Sequence, residues 1–153
     1  VRTAEEFNLK YTIEHCTEGR FIADYLGRHH VNAVVGPSLP APSKPETSQS
    51  SWETARTLID AGVHVCLMTD HAVTPLYSLP IMAAMACRNG LTNEEALRCI
   101  TLSSAEHLGL QDRVGSLEAG KDADMVLWTG DPLDIRNKPV MTMIDGKIEY
   151  SAL

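Results

Sequence analysis

The sequence lacks the features that would assign it to a membrane or to nucleic acid. No uninterrupted apolar run approaches the ~20 residues that a membrane-spanning helix needs, so we do not expect a membrane protein. No basic segment followed by an apolar one opens the chain, so no secretory signal is visible. The formal net charge is −7, and lysine and arginine form no stripe. This balance argues against nucleic acid and anionic membrane surfaces as partners.

The chain has few cysteines, and none of them has the spacing of a metal-binding or redox motif. The four cysteines are Cys16, Cys66, Cys87 and Cys99, and no C-x-x-C motif is present. Isolated cysteines in apolar segments are typical of small buried hydrophobic residues, not of a disulfide framework or a zinc knuckle. We therefore expect a reduced, cytoplasmic protein.

The chain has the length of one ordinary domain, with 153 residues of which 44% are hydrophobic. In residues 1–112, apolar runs typical of buried strands alternate with segments of helical periodicity. Strands are predicted at residues 9–14, 31–35 and 63–68. Helices are predicted after each strand, with one apolar face formed by Phe21, Ile22, Tyr25 and Leu26, another by Trp52, Ala55, Leu58 and Ile59, and further helices at 79–89, from Thr92 and at 103–108.

Residues 113–153 have a different pattern and are predicted to form a second, small β unit. Glycine and proline separate three short apolar runs, at 125–128, 140–144 and 147–150. Asp145-Gly146 between the last two runs is a strong signal for a two-residue hairpin.

A loop at residues 36–51 separates the second predicted strand from its helix. Its four prolines exclude a persistent regular element, and it is longer than the ~2–6 residues usual for such a connection. Long loops of this kind are either lids and binding loops or disordered segments, and the sequence leaves both alternatives open.

Two residues of metal-binding type come directly after predicted parallel strands. His15 follows the first strand and Asp70 follows the third. An imidazole and a carboxylate at the carboxyl ends of parallel strands are the components of a metal-hydrolase site. A catalytic zinc normally has three protein ligands, so these two residues predict an incomplete site.

Three motifs carry a resemblance to a known family. Ile13-Glu14-His15 and Thr69-Asp70-His71 resemble the ends of the sixth and eighth barrel strands of the amidohydrolase superfamily, in its imidazolonepropionase- and prolidase-like branch. The segment at 114–124, which includes Val114-Gly115-Ser116-Leu117, resembles the family's passage from its last helices into a β-sandwich.

The resemblance implies an α/β fold: strands six to eight of a TIM-type (β/α)8 barrel, followed by part of a small β-sandwich. It also implies Zn²⁺ or a similar divalent cation as cofactor, bound by His15 and Asp70, with Asp70 as the catalytic base. The implied reaction is hydrolysis of an amide-like or cyclic-amide C–N bond in a small-molecule substrate. His71 is a candidate substrate-binding residue.

Strand alternation predicts where the other polar residues of these strands point. Val65 and its neighbours at every second position are expected to face the helices, whereas His64, Cys66 and Asp70 face the barrel interior. We expect His64 to be a hydrogen-bonded core histidine. Glu14 is expected to face away from the barrel centre and to form a salt bridge, and His107 is expected on a helix surface.

The family's remaining ligands have no counterpart in this chain, and a whole barrel takes ~250 residues. We therefore expect a C-terminal portion of a longer protein, inactive when isolated. Its exposed strand edges would pair with copies of itself or with the missing N-terminal part.

Three alternatives remain open at this point: a deaminase of the same superfamily, a non-catalytic assembly module with this fold, and a serine hydrolase. The last is disfavoured because there is no G-x-S-x-G motif, and neither Ser38 nor Ser104 lies at a sharp strand-to-helix turn.

Overall fold

A computed structural model describes residues 1–40 and 44–153. Three single 3₁₀ turns, at Gly19–Ile22, Pro45–Thr47 and Leu76–Ser78, accompany the helices and strands. The α-helices and β-strands are, in chain order, α1 Arg2–Glu6, α2 Ala23–Arg28, β1 Asn32–Val35, α3 Thr54–Asp60, β2 His64–Leu67, α4 Leu79–Arg88, α5 Asn93–Ile100, α6 Leu102–Leu108, β3 Met125–Trp128, β4 Pro139–Ile144 and β5 Lys147–Ser151.

Strands β1 and β2 form a parallel pair, as the sequence predicts. Ala33 pairs with Val65, and the register continues to the end of both strands. The first predicted strand, at 9–14, is reduced to a single parallel bridge between Ile13 and Ala33. Beyond the bridge, the N–H of Gly36 donates to the carbonyl oxygen of His15, where the backbone is no longer extended and φ is +67°.

The core lies between this parallel layer and the helices. Val65 and Leu67 of β2 pack into one apolar cluster with Leu26 of α2 and Leu58 of α3, which confirms the side of β2 expected to face the helices. The predicted apolar face at 21–26 is wrong in part, because Phe21 and Ile22 are exposed. These two residues lie in a 3₁₀ turn, where the 3.6-residue periodicity of an α-helix does not hold.

The helix predicted from Thr92 begins as expected. Thr92 Oγ1 accepts a hydrogen bond from the backbone N–H of Glu95, and the Glu95 side chain accepts one from the N–H of Thr92. This reciprocal capping box satisfies two backbone donors that the first turn would otherwise leave unpaired.

The C-terminal residues form an antiparallel sheet in the order β3-β4-β5. The predicted hairpin between β4 and β5 is confirmed, since Asp145 and Gly146 have φ of +49° and +74°, as a two-residue turn with positive φ at both positions requires. This three-stranded sheet is the part of the predicted β-sandwich that the described residues form. The second layer of the sandwich stays a prediction.

The second half of the long loop is attached to the turn that follows His15. The backbone N–H of Gln49 donates to the Glu18 carboxylate at 3.2 Å, and Arg20 donates to the carbonyl oxygen of Gln49. A 3₁₀ turn is its one regular element among the described residues. Residues 41–43, which include Pro42, lie outside the described residues. The longest helix in the described part of the chain, α4, has 10 residues, and none of the described helices combines the length and the apolar character of a membrane span.

Candidate functional site

The candidate site is built where three chain segments end at one edge of the parallel layer. Ile13 bridges to β1 in parallel, and β1 pairs with β2 in parallel, so all three segments run in the same direction. His15, Gly36 and Asp70 follow these segments. The structure thus brings both predicted metal ligands to the same edge, with the end of β1 between them.

The end of β1 holds His15 by its backbone and by its ring. The N–H of Gly36 donates to the carbonyl oxygen of His15 at 3.2 Å, and His15 Nδ1 lies 3.2 Å from the carbonyl oxygen of Gly36. Because a carbonyl oxygen only accepts hydrogen bonds, Nδ1 carries the proton in this contact. Neutral His15 therefore has its free lone pair on Nε2.

Gly36 also fits tightly against the end of β2. Its φ is +140°, and a Cβ atom at this position would overlap the carbonyl oxygen of Met68. Met68 donates its N–H to the carbonyl oxygen of Val35 at 3.1 Å. A residue with a side chain at position 36 would therefore separate the strand ends that carry His15 and Asp70.

Asp70 begins a tight turn after β2. Its φ is +51°, its carbonyl oxygen accepts from the N–H of Val73 at 2.7 Å, and the N–H of Thr74 reaches back to Thr69 at 3.2 Å. Thr69 and Thr74 are buried, whereas Asp70 is partly exposed. The buried residues Thr69 and Thr74 thus hold the turn through their backbone hydrogen bond, and Asp70 stays partly exposed to solvent. His71, the next residue, is exposed on this turn.

The donor set of the site fits part of a metal centre. Imidazole nitrogen and carboxylate oxygen are ligands that Zn²⁺ takes in proteins. Within residues 1–40 and 44–153, however, no group of three or more histidine, cysteine or acidic side chains is arranged to hold a metal ion. The two residues fit as partial ligands of a divalent cation and do not form a complete cage.

The face of β2 opposite the helical core carries a polar cluster. His64 Nε2 donates to Glu106 Oε2 of α6 at 2.8 Å, which confirms a hydrogen-bonded histidine at this position. Burial raises the pKa of the Cys66 thiol to about 11, and the nearby Glu14 carboxylate contributes in the same direction. Burial likewise raises the pKa of Cys99 to about 12. Both thiols are therefore protonated at neutral pH and act as small packing groups.

Two expectations about polar residues are wrong. Ile13 packs against the helical core. Glu14 therefore lies on the opposite face of its segment, near Cys66, and does not point away from the barrel centre as expected. The alternation cannot be counted back from His15, because the backbone turns left-handed there. His107 is not a surface residue, since only 11% of its side chain is exposed, and its Nε2 donates to Glu14 Oε1 at 3.2 Å. The Glu14 carboxylate, expected in a salt bridge, thus accepts a hydrogen bond from an imidazole.

The free cysteines agree with the reading of the sequence. All four are unpaired, and Cys16, Cys66 and Cys99 are buried, while Cys87 is partly buried. The cysteines are thus buried or partly buried like small hydrophobic residues, and no disulfide is present within the described chain.

Comparison with known proteins identifies the family. The amidohydrolase family model matches residues 1–148. An amidohydrolase from Thermotoga maritima MSB8 superposes with a TM-score of 0.94 at 41% identity, over 98% of this chain and 39% of that one. An imidazolonepropionase from Phocaeicola vulgatus is 40% identical over 129 residues, which are 78% of this chain and 31% of that protein.

A more distant structure shares the fold alone. An adenosine deaminase from Xanthomonas campestris, solved with bound zinc, superposes with a TM-score of 0.64 at 21% identity, over 90% of this chain and 36% of that one. The chain therefore spans less than half the length of each of these relatives. With most of its residues covered by the family model, and with an α/β structure that superposes on a solved amidohydrolase, the chain belongs to the amidohydrolase family.

Proposed function

We propose that this chain supplies two ligands, His15 and Asp70, to the metal centre of a hydrolase that acts on a C–N bond. The observation that carries the proposal is the contact between His15 and Gly36. This contact occupies Nδ1 and leaves Nε2 as the nitrogen that can bind a cation, at the edge where Asp70 also lies. A ligand histidine whose second nitrogen donates to a carbonyl oxygen is the usual arrangement in metal sites.

The cation would be Zn²⁺ or a similar divalent ion, in keeping with the chemistry of the two donors. When bound, it supplies Lewis-acid chemistry, polarising a carbonyl group and making water acidic enough to attack at neutral pH. The zinc reported for the adenosine deaminase of the same fold supports this choice.

Asp70 is the general base and then the general acid in this proposal. A carboxylate has two oxygens, so one can bind the cation while the other accepts a proton from the attacking water. The same oxygen then returns the proton to the leaving nitrogen. In this proposal the substrate contacts His71, which is exposed beside Asp70 on the same turn.

The substrate we favour is a small cyclic amide. Imidazolonepropionases are among the relatives at about 40% identity, and one of them matches 78% of this chain, whereas the adenosine deaminase is 21% identical. This difference favours amide hydrolysis over deamination. A protein of this fold that only assembles with others would have no need of the His15 and Asp70 arrangement.

Two ligands leave a catalytic zinc site short of its usual three. We therefore propose that the isolated chain is inactive and that further ligands come from a second part of the same protein or from another copy of this chain. The parallel layer has open edges at which such a partner would pair.

Zinc titration of the purified chain tests the proposal. His15→Asn and Asp70→Asn remove one ligand each, and asparagine tolerates the positive φ at both positions. We expect weak binding to the unmodified chain and a loss of at least about tenfold in affinity for each variant. His30→Asn is the matched control, because His30 also has positive φ and is exposed. Unchanged affinity in both ligand variants would refute the proposal.

A further inference from the structure

His107 lies on α6, yet its imidazole contacts the residue next to His15. Nε2 of His107 donates to Glu14 Oε1 at 3.2 Å, and only 11% of the histidine side chain is exposed. Its other ring nitrogen, Nδ1, is buried and has no hydrogen-bond partner among the described residues. The contact with Glu14 is thus the polar interaction that orients this ring.

Glu14 is held from two sides. The oxygen that accepts from His107 also accepts from Thr12 Oγ1, at 2.9 Å. The Glu14 side chain is 52% exposed, and an exposed glutamate has many rotamers to lose when it is ordered. One donor from its own segment and one from α6 offset that loss and keep the carboxylate on the α6 side.

The backbone of Glu14 leads directly into the strained part of the site. Its carbonyl oxygen accepts from the N–H of Cys16 at 2.9 Å, and between these two residues His15 has φ of +67°. A left-handed conformation is uncommon for a residue other than glycine and persists where its surroundings hold it. The turn is held by the hydrogen bond from the Cys16 N–H to the Glu14 carbonyl oxygen and by the hydrogen bonds between His15 and Gly36.

Helix α6 is itself fixed to the strand that leads to Asp70. Glu106, the residue before His107, accepts from His64 at the start of β2 at 2.8 Å and from Arg98 of α5 at 2.7 Å. Adjacent residues of α6 thus reach the β2 strand and the segment that ends at His15. The helix connects the two halves of the candidate site.

We propose that His107 is a positioning residue that acts through Glu14. It holds the turn at His15 in the conformation in which Nδ1 donates to Gly36 and Nε2 is free. The role of that free nitrogen rests on the proposed function, but the conformation itself can be tested in the chain without metal.

The experiment compares four variants of the chain by NMR. His107→Ala and Glu14→Ala each remove the contact from one side, and His107→Gln keeps an N–H donor. His64→Ala is the control, since it removes one hydrogen bond to Glu106, the neighbour of His107 on α6, without touching Glu14. The readouts are the ¹⁵N shifts of the His15 ring, which report the protonated nitrogen, and hydrogen exchange of the Gly36 N–H, which donates to His15.

We expect His107→Ala and Glu14→Ala to move His15 away from the Nδ1–H form and to accelerate exchange at Gly36 about tenfold. His107→Gln restores most of both signals, and His64→Ala lowers stability without changing them. If His107→Ala does not fold, Glu14→Ala carries the test, because it alters an exposed side chain. Unchanged signals in His107→Ala and Glu14→Ala, or equal changes in His64→Ala, would overturn the proposal.

Zinc titration of the same variants separates this inference from the proposed function. Affinity that depends on His15 and Asp70, with no response of Gly36 exchange to His107→Ala or Glu14→Ala, would reject the positioning role alone. A response of Gly36 exchange, together with zinc affinity that is unchanged in His15→Asn and Asp70→Asn, would reject the metal site and keep the positioning role.

Discussion

Nε2 of His64 lies 2.8 Å from Oε2 of Glu106, so a hydrogen-bonded pair joins the start of β2 to α6. The second oxygen of Glu106 accepts from Arg98 of α5 at 2.7 Å. The hydrogen bond from His64, followed by the positive charge of Arg98, holds the pKa of Glu106 below its ordinary value of 4.5. One carboxylate therefore ties together a strand and two helices below the candidate site.

The stability that Glu106 contributes depends on pH. Its pKa is lower in the folded chain than in the unfolded chain, so the contribution is complete above pH 4.5 and is lost as pH falls through the folded pKa. We expect Glu106→Gln to lower the free energy of unfolding by about 1 kcal/mol at neutral pH, because the pair is part-exposed.

Urea unfolding between pH 7 and pH 3 measures this effect. The difference between the unmodified chain and Glu106→Gln should shrink below pH 4.5. Glu149→Gln, at an exposed position of β5, serves as the control and should leave the pH dependence unchanged. A difference that stays constant over the whole range would contradict the assignment.

The capping box of α5 is expected to stabilise the fold measurably. Thr92→Ala removes the hydroxyl that accepts from the Glu95 N–H and should cost about 1 kcal/mol of unfolding free energy. Glu94→Gln changes a neighbouring exposed residue of the same first turn and should cost less than ~0.5 kcal/mol. Equal losses in the two variants, measured by thermal or urea unfolding, would show that the cap contributes nothing specific.

Gly36 is expected to be required at the strand ends. Gly36→Ala introduces a Cβ against the Met68 carbonyl oxygen at φ of +140°, whereas Gly62→Ala, at φ of +81°, meets no atom within 4 Å. The strain of positive φ alone costs roughly 1–2 kcal/mol, so Gly62→Ala should lose about that much and Gly36→Ala distinctly more. Urea unfolding compares the two. A loss in Gly36→Ala no larger than in Gly62→Ala would mean that the strand ends are not tightly packed.

Local signals in the sequence predicted local structure well. The capping box at Thr92 and the hairpin at Asp145-Gly146 were both found, because each is specified by a few adjacent residues. Parallel pairing was also predicted, and it brings His15 and Asp70 to one edge. The ligand roles of these residues stay a prediction.

Non-local structure was harder to predict. The strand expected at 9–14 shrinks to a bridge at Ile13, which the apolar pattern of the segment does not reveal. The face of Glu14 was misjudged because strand alternation does not reveal the backbone turn at His15. The burial of His107 depends on packing between α6 and a segment 93 residues away in sequence. A histidine following a glutamate on a short helix carries no signal of such a contact.

The central claim is that His15 and Asp70 bind one cation, and crystals of the chain grown with Zn²⁺ test it most directly. Anomalous diffraction should show one zinc peak about 2.0–2.2 Å from His15 Nε2 and from a carboxylate oxygen of Asp70. A peak on His15 Nδ1, separate ions on the two residues, or no zinc at this edge would contradict the account.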